Sequence, residues 1–167
     1  MSLTNDQALE LFVNAGALLT GHFKLSSGLH SDRYLEKFRL VENPTLAEPL
    51  CQEIARRFAD GSVALVLGPT TAGIILAYSV ARHLGVEARY AEKADGLRQL
   101  RRGQTLASGT RVLVVDDILT TGGAVDLGTR LEALLTMAVE VFTPERCPMC
   151  LEGVPVYQPG TTGIKMG

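Results

Sequence analysis

The sequence contains few cysteines, no tryptophan and no excess of basic charge. Three cysteines among 167 residues, one isolated and two in a C-x-x-C pair, do not form the disulfide framework of a small secreted domain. With 16 Lys+Arg against 18 Asp+Glu, the net charge is -2, which is not typical of a general nucleic-acid binder. No stretch approaches 18 consecutive apolar residues, and the first residues lack a signal-peptide pattern. We therefore expect a cytoplasmic protein that has neither nucleic acid nor a membrane as a partner.

Two segments share a strand, turn and helix pattern. A continuous apolar run at 63–67 is followed by Gly68-Pro69 and a helical period to Leu84. A second run at 111–115 is followed by Asp116-Asp117 and by a glycine turn that leads into a helix ending near Met137. With 46% hydrophobic residues, the chain suits one α/β domain with a mainly parallel sheet flanked by helices.

The remaining segments have simpler signals. A capping box at Thr4 and Gln7 predicts a helix ending near Gly16, and apolar spacing predicts another over 46–58. Residues 21–35 predict a hairpin or an ordered loop around Ser26-Ser27-Gly28. Val86 to Ala91 predicts a short strand, whereas the polar, basic residues 92–104 indicate an exposed mobile loop.

Residues 112–124, VLVVDDILTTGGA, carry the strongest chemical signal. Ligands of open α/β sheets bind outside the carboxyl ends of strands, where backbone N–H groups and the helix dipole favour a phosphate. Two adjacent carboxylates would repel that phosphate, so Asp116 and Asp117 are expected to meet hydroxyl groups or a cation beside it. A sugar phosphate satisfies both demands, although a plain turn in which Asp117 caps the helix remains an alternative. The absence of G-x-x-x-x-G-K-[ST] and of G-x-G-x-x-G disfavours P-loop and Rossmann nucleotide sites.

These residues also carry a family resemblance. VLVVDDILTTGGA resembles the phosphoribosyl-diphosphate (PRPP) signature of type I phosphoribosyltransferases, and GHFKLSSGLHSDRY (21–34) resembles a segment that marks orotate phosphoribosyltransferases. VLGPTTAGIILA (66–77) is similar to the family's pyrophosphate loop, and CPMCLEGVPVYQPGT (147–161) to the tail of some bacterial members. The resemblance implies one type I phosphoribosyltransferase domain, with a core over 45–143 and a hood from 1–44 and 144–167. It also implies transfer of ribose 5-phosphate from PRPP to orotate in pyrimidine synthesis, with Mg2+ as cofactor in a homodimer.

The resemblance implies roles for individual residues. The catalytic residues would be Lys93, Asp116 and Asp117, the two acids through the ribose hydroxyls and Lys93 through the leaving pyrophosphate. The pyrophosphate would meet Thr70, Thr71, Ala72 and Gly73. The 5′-phosphate would meet Thr120, Thr121, Gly122, Gly123 and Ala124. Orotate would meet Leu25, Ser26, Ser27, Tyr34 and Thr120. Arg98, Arg101 and Arg102 would assist Lys93, with a solvated stretch of charge as the alternative for the last two.

The sequence departs from the family pattern at two places. Glu92-Lys93 replaces an Arg-Lys pair, and Ala72 and Ser26 stand where the family often has lysine. After Ala124 the chain arrives at the tail without the core strand and Asp-Arg step whose arginine pairs with the orotate carboxylate. Either the chain has a natural contraction, with a helix over 125–137 and a strand from Ala138 to Phe142, or a segment is missing, which the phrase DLGTRLEALL favours. Arg130 or Arg146 would then have to replace that arginine.

Two functional alternatives and one ligand question stay open. The chain could act on another base, or it could sense PRPP without catalysis. Cys147 and Cys150 have the spacing of half a zinc site, but the histidines and Cys51 are scattered along the sequence. A second pair from a symmetric dimer or a redox role are the alternatives to a reduced, packed pair. We assign no metal ligands from the sequence.

Overall fold

The computed structural model describes residues 2–118 and 132–159. In chain order its α-helices are α1 (Asn5–Asn14), α2 (Phe38–Val41), α3 (Pro44–Arg57), α4 (Ala72–Leu84) and α5 (Pro148–Leu151). Its strands are β1 (Leu18–Lys24), β2 (His30–Leu35), β3 (Leu65–Pro69), β4 (Glu87–Ala94), β5 (Leu97–Gln99) and β6 (Val112–Val114). A 3-10 turn at Pro144–Arg146 precedes α5.

The main sheet has the order β5-β4-β3-β6. Strand β3 pairs in parallel with both β4 and β6, and β5 runs antiparallel at the edge. The sequence predicts this parallel centre, because uninterrupted apolar runs such as 65–67 suit strands that are covered on both faces. The α/β class with a mainly parallel sheet is confirmed.

Helix α4 packs closely on β3 because two glycines lie at their junction. A Cβ built on Gly68 would come within 1.9 Å of the Gly73 carbonyl oxygen, and one on Gly73 within 2.7 Å of Pro69 Cδ. Any side chain at Gly68 would push the helix away from the strand. Val66, Ala77 and Val80, all fully buried, centre the core cluster beneath this contact.

The N-terminal segment forms a second, smaller layer. Thr4 and Gln7 make the predicted reciprocal capping box, so α1 begins as the sequence indicates. Strands β1 and β2 form the antiparallel hairpin that was one of the two predictions for 21–35. Ala8 and Phe12 of α1 pack with Leu50 of α3 in a separate apolar cluster.

The prediction of a loop over 92–104 is wrong for its first half. Strand β4 continues to Ala94 and turns back into β5 through Asp95-Gly96. Both turn residues have positive φ, 51° and 78°, as a two-residue type I′ hairpin requires. An Asp-Gly pair between two strands is the sequence signal that could have identified this hairpin.

The predictions for the region after β6 are also wrong where the structure describes it. Residues 132–137 are not helical, because Leu134 and Leu135 pack on the α1 cluster and the Thr136 N–H donates to Asn5 Oδ1 at 2.8 Å. Ala138 to Val141 do not form a strand, and Phe142 makes only an isolated bridge with His30. The predicted helix at 125–131 lies outside the described residues.

Within residues 2–118 and 132–159, we find no helix that has both the length and the apolar character needed to span a membrane.

Candidate active site

Two polar segments lie at the same edge of the main sheet. Thr70 follows β3, and Asp116 and Asp117 follow Val115 at the end of β6. Because β3 and β6 are parallel, their carboxyl ends point to the same side, where open α/β sheets bind ligands. The fold therefore brings together the two predicted halves of the PRPP site.

The turn after β3 is held by backbone and side-chain contacts. The Thr70 N–H donates to the Ala91 carbonyl at 3.0 Å, and the Thr70-Thr71 peptide bond is cis. Arg98 Nη1 donates to Thr70 Oγ1 at 2.8 Å. Arg98, predicted to assist with pyrophosphate, thus lies directly beside the turn that would bind it.

Asp116 and Asp117 have different surroundings. The Asp116 carboxylate accepts the Asp117 N–H at 2.8 Å, and burial raises the pKa of Asp116 above its ordinary value, with the Asp117 charge adding to the effect. Asp117 instead forms an ion pair with Lys37, whose Nζ lies 2.9 Å from Oδ1 and 2.8 Å from Oδ2. Sequence reasoning missed Lys37, and its position just before α2 gives no local signal of a partner 80 residues away.

The β4–β5 hairpin supplies the cationic side of the site. Thr70, Glu92, Lys93, Arg101 and Arg102 line an open cavity of about 630 Å³. Glu92 lies 2.9 Å from Arg102 Nη2 and 3.7 Å from Arg101 Nε, so this acid partly neutralises both arginines. Lys93 pairs in register with Arg98 across the hairpin. The cavity thus has a positive wall with one carboxylate in it.

The residues predicted to bind orotate are divided between the two ends of the β1–β2 hairpin. Leu25, Ser26 and Ser27 form the connecting turn, which the Gly28 N–H closes by donating to the Leu25 carbonyl at 2.9 Å. Tyr34 lies opposite Leu19 near the other end, about 13 Å along the strand from the turn side. Its ring packs 5.6 Å from that of Phe23, and burial raises the pKa of Tyr34. Tyr34 is three residues from Lys37 and therefore lies on the Asp117 side of the hairpin.

The predicted 5′-phosphate residues lie outside the described residues. These are Thr120, Thr121, Gly122, Gly123 and Ala124, and the candidate arginine Arg130 shares that segment. Arg146, the other candidate, lies exposed in the 3-10 turn before α5.

The expectation that the histidines are scattered is wrong for two of them. His22 on β1 and His30 on β2 have ring centroids 4.8 Å apart, and both lie beside Cys147 and Cys150 of the C-terminal segment. Sequence spacing could not reveal this cluster, because the hairpin and the C-x-x-C pair meet only in the fold.

Comparison with known proteins places this geometry in a family. Residues 42–139 match the phosphoribosyl transferase domain. The orotate phosphoribosyltransferase of Pelotomaculum thermopropionicum is 41% identical over 190 aligned positions, which cover 97% of this chain and 100% of the relative. Because the alignment is longer than the 167-residue chain, the relative carries residues that have no counterpart here.

Two solved structures extend the comparison. The crystal structure of orotate phosphoribosyltransferase from Aeropyrum pernix is 28% identical, with a TM-score of 0.52, and the match covers 71% of this chain and 68% of that one. The structure of Leishmania donovani UMP synthase has a TM-score of 0.58 at 23% identity over 70% of this chain. The match spans only 25% of that longer chain and shows the fold alone. The domain match and the near full-length identity to a curated relative establish that the chain belongs to the orotate phosphoribosyltransferase family of phosphoribosyl transferases.

Proposed function

We propose that this chain is an orotate phosphoribosyltransferase that transfers the 5-phosphoribosyl group of PRPP to orotate. The products are orotidine 5′-monophosphate and pyrophosphate, in the pyrimidine branch of nucleotide synthesis. The observation that carries the proposal is the 41% identity to an orotate phosphoribosyltransferase along that relative's whole length. The arrangement of Thr70, Asp116 and Lys93 around one sheet edge supports it.

In this proposal the two acids hold the ribose. Ribose hydroxyls donate to carboxylates, and charge-assisted bonds of this kind are stronger than neutral ones. Asp117 is already oriented by Lys37, so the proposed division leaves Asp116 as the acceptor facing the substrate. The pair would position the anomeric carbon for displacement without forming a covalent intermediate.

The pyrophosphate would leave into the cavity beside the β4–β5 hairpin. Its charge grows as the bond to the ribose carbon breaks, and fixed cations stabilise that charge most when they are positioned in advance. Arg98 is held against Thr70, and Lys93 lines the cavity. The backbone of residues 70–73 would supply N–H donors, as glycine-containing turns do for anions.

Magnesium is the cofactor that the family implies, and the residues present fit it. Mg2+ binds through one or two carboxylates together with substrate phosphates rather than in an all-protein cage. Asp116 offers such a carboxylate at the edge of the site, whereas the contact with Lys37 makes Asp117 a poorer ligand. When bound with PRPP, Mg2+ would neutralise the diphosphate oxygens.

The base site and assembly also belong to the proposal. Tyr34, with Leu25, Ser26 and Ser27, would face the flat anionic pyrimidine, and an unassigned cation would pair with its carboxylate. We further propose a cytoplasmic homodimer, in which a partner subunit could bring a hairpin turn to the site. The family resemblance supports both statements.

The proposal is tested by pyrophosphate release from Mg-PRPP with orotate, adenine, hypoxanthine or uracil. Release with orotate alone is expected. Release only with another base would place the activity elsewhere in the superfamily and refute the assignment of orotate.

A second candidate is a protein that senses PRPP without transferring it. The ion pairs of Glu92 with Arg101 and Arg102 favour this alternative, because they reduce the positive charge available to the leaving pyrophosphate. Tight PRPP binding in calorimetry, combined with no pyrophosphate release for any of the four bases, would support the sensor over the enzyme.

A further inference from the structure

Four metal-ligating side chains converge between the β1–β2 hairpin and the C-terminal tail, residues 142–157. His22 Nε2 lies 2.8 Å from His30 Nδ1 and 3.5 Å from Cys147 Sγ. Cys150 Sγ lies 3.6 Å from His22 Nε2 and 3.3 Å from His30 Nδ1. The four ligand atoms all lie within 4.8 Å of one another.

These distances match a tetrahedral zinc centre. With Zn–S bonds of about 2.3 Å and Zn–N bonds of about 2.0–2.1 Å, tetrahedral geometry separates nitrogen and sulfur ligands by about 3.6 Å. The three nitrogen–sulfur distances, 3.3, 3.5 and 3.6 Å, lie close to that value. We propose that His22, His30, Cys147 and Cys150 form a structural zinc site.

The His22 ring is already oriented as a metal ligand. Its Nδ1 lies 2.8 Å from the Val154 carbonyl oxygen. A carbonyl can only accept, so Nδ1 carries the proton and the Nε2 lone pair points into the cluster. Metal-bound histidines commonly donate their second ring N–H to a carbonyl or carboxylate in this way, which fixes the tautomer.

Burial distinguishes this cluster from a chance meeting of surface groups. His22 is 2% exposed, His30 6% and Cys147 0%, while Cys150 is the most exposed of the four. Two imidazole nitrogens and two thiolates form the ligand set that favours zinc. Two thiolates also balance the charge of Zn2+, so the buried centre would be neutral. Four protein ligands leave no open position, which is the arrangement of structural rather than catalytic zinc.

The tail has little else to hold it. Among the described residues 143–159 only Cys147 is buried, and Leu151 and Tyr157 are 78% and 65% exposed. Apolar burial therefore contributes little to its attachment. Backbone hydrogen bonds supply the rest: Lys24 N–H to the Tyr157 carbonyl at 2.8 Å, Tyr157 N–H to the His22 carbonyl at 2.7 Å, and a reciprocal pair between His30 and Phe142.

A metal at this position would close a long loop of the chain. His22 and Cys147 are 125 residues apart, so joining them restricts the unfolded chain as a long-range cross-link does. Zinc binding is coupled to folding when the ligand set does not exist in the unfolded chain. The inference concerns the attachment of the tail to the hairpin and does not depend on the proposed activity.

Metal analysis of the reduced, full-length protein tests the site. The protein purified with zinc in the medium is expected to hold one zinc per chain. Its cobalt-substituted form should show thiolate-to-cobalt charge transfer and the intense visible bands of tetrahedral cobalt. Cys150→Ser is the first variant, since Cys150 is the most exposed ligand, and it should weaken zinc affinity by about 100-fold or more in chelator competition. The double variant Cys147→Ser/Cys150→Ser should hold no zinc.

Two matched controls keep the test specific. Cys51→Ala removes a buried cysteine outside the cluster, and His83→Gln removes a histidine whose Nε2 lies 2.9 Å from Glu48. Both should retain one zinc per chain. Amide hydrogen exchange at Lys24 and Tyr157 should become faster in the double variant, and in the wild type after chelation, but not in the controls.

Three results would overturn the site. One is a reduced wild-type protein that binds no zinc while circular dichroism shows it folded. Another is the double variant retaining wild-type zinc content. The third is a Cys147–Cys150 disulfide that persists under reducing conditions. Each of these can occur whether or not the protein turns over orotate, so the outcome is separate from that of the proposed function.

Discussion

Lys37 binds both carboxylate oxygens of Asp117, at 2.9 and 2.8 Å, and so joins the segment after the β1–β2 hairpin to the end of β6. The Asp117 side chain is 9% exposed and that of Lys37 35%. One of the two acids at the sheet edge is therefore neutralised by a cation from a different layer. In a site that must attract an anionic sugar phosphate, this contact offsets the repulsion from two adjacent carboxylates.

We expect Lys37→Met to weaken PRPP binding and to destabilise the fold slightly. Loss of the cation leaves Asp117 largely buried without a counter-charge. KM for PRPP should rise about tenfold, which corresponds to about 1.4 kcal/mol. The free energy of unfolding should fall by about 1 kcal/mol, since Lys37 is partly solvent-screened. Steady-state kinetics and urea titration measure the two effects.

Lys24→Met is the matched control for this prediction. Lys24 ends β1 of the same hairpin and is exposed, so its replacement should leave KM for PRPP unchanged. Equal KM values for Lys37→Met and the wild type would show that the ion pair has no part in PRPP binding.

Asp116→Asn combined with Asp117→Asn should abolish most PRPP affinity while the fold survives. Each lost carboxylate-to-hydroxyl bond costs about 1.5 kcal/mol or more, so Kd should rise at least about 100-fold. Calorimetry with Mg-PRPP measures this change, and circular dichroism checks the fold. Asp32→Asn, at an exposed acid of β2, should bind as the wild type does. If the double variant binds PRPP normally, the ribose assignment of this pair is wrong.

Asp116→Asn alone should stabilise the protein at neutral pH. Burial raises the folded-state pKa of Asp116 above its unfolded value, so folding disfavours the charged form. The wild type is therefore relatively most stable below the unfolded pKa of about 3.9 and loses that stability as pH rises through the folded pKa. The advantage of the Asn variant should be full at pH 7 and vanish in acid. Urea titrations across pH measure it, and an advantage that grows on acidification would contradict burial as the cause.

Local patterns in the sequence predict the central elements well. The apolar run ending at Leu67, with Gly68-Pro69 after it, specifies strand, turn and helix without long-range information, and the structure has β3 and α4 there. The same holds for the capping box at Thr4. The hairpin over 92–99 was missed because polar composition outweighed its Asp-Gly turn signal.

The remaining features depend on contacts between distant segments. Helical periodicity extends to Met137, yet Leu134 and Leu135 reach the α1 cluster through non-helical backbone. The Lys37 to Asp117 contact and the meeting of His22 with Cys147 join residues 80 and 125 positions apart. No local period contains such information, so sequence reasoning finds the individual groups but not their partners.

Glu92→Gln should strengthen PRPP binding by releasing the arginines of the cavity. Glu92 now pairs with Arg102 at 2.9 Å and Arg101 at 3.7 Å, and removing its charge makes the positive wall available to the diphosphate. KM for PRPP should fall about three- to tenfold at low salt, corresponding to about 0.7–1.4 kcal/mol. Because Arg101 and Arg102 are 58% and 67% exposed, the gain should shrink as salt is added. Glu87→Gln, which removes an exposed acid paired with Arg89 on the same strand, should leave KM unchanged. A higher KM in Glu92→Gln would instead mean that Glu92 orients the arginines productively and that the ion pairs belong to the working site.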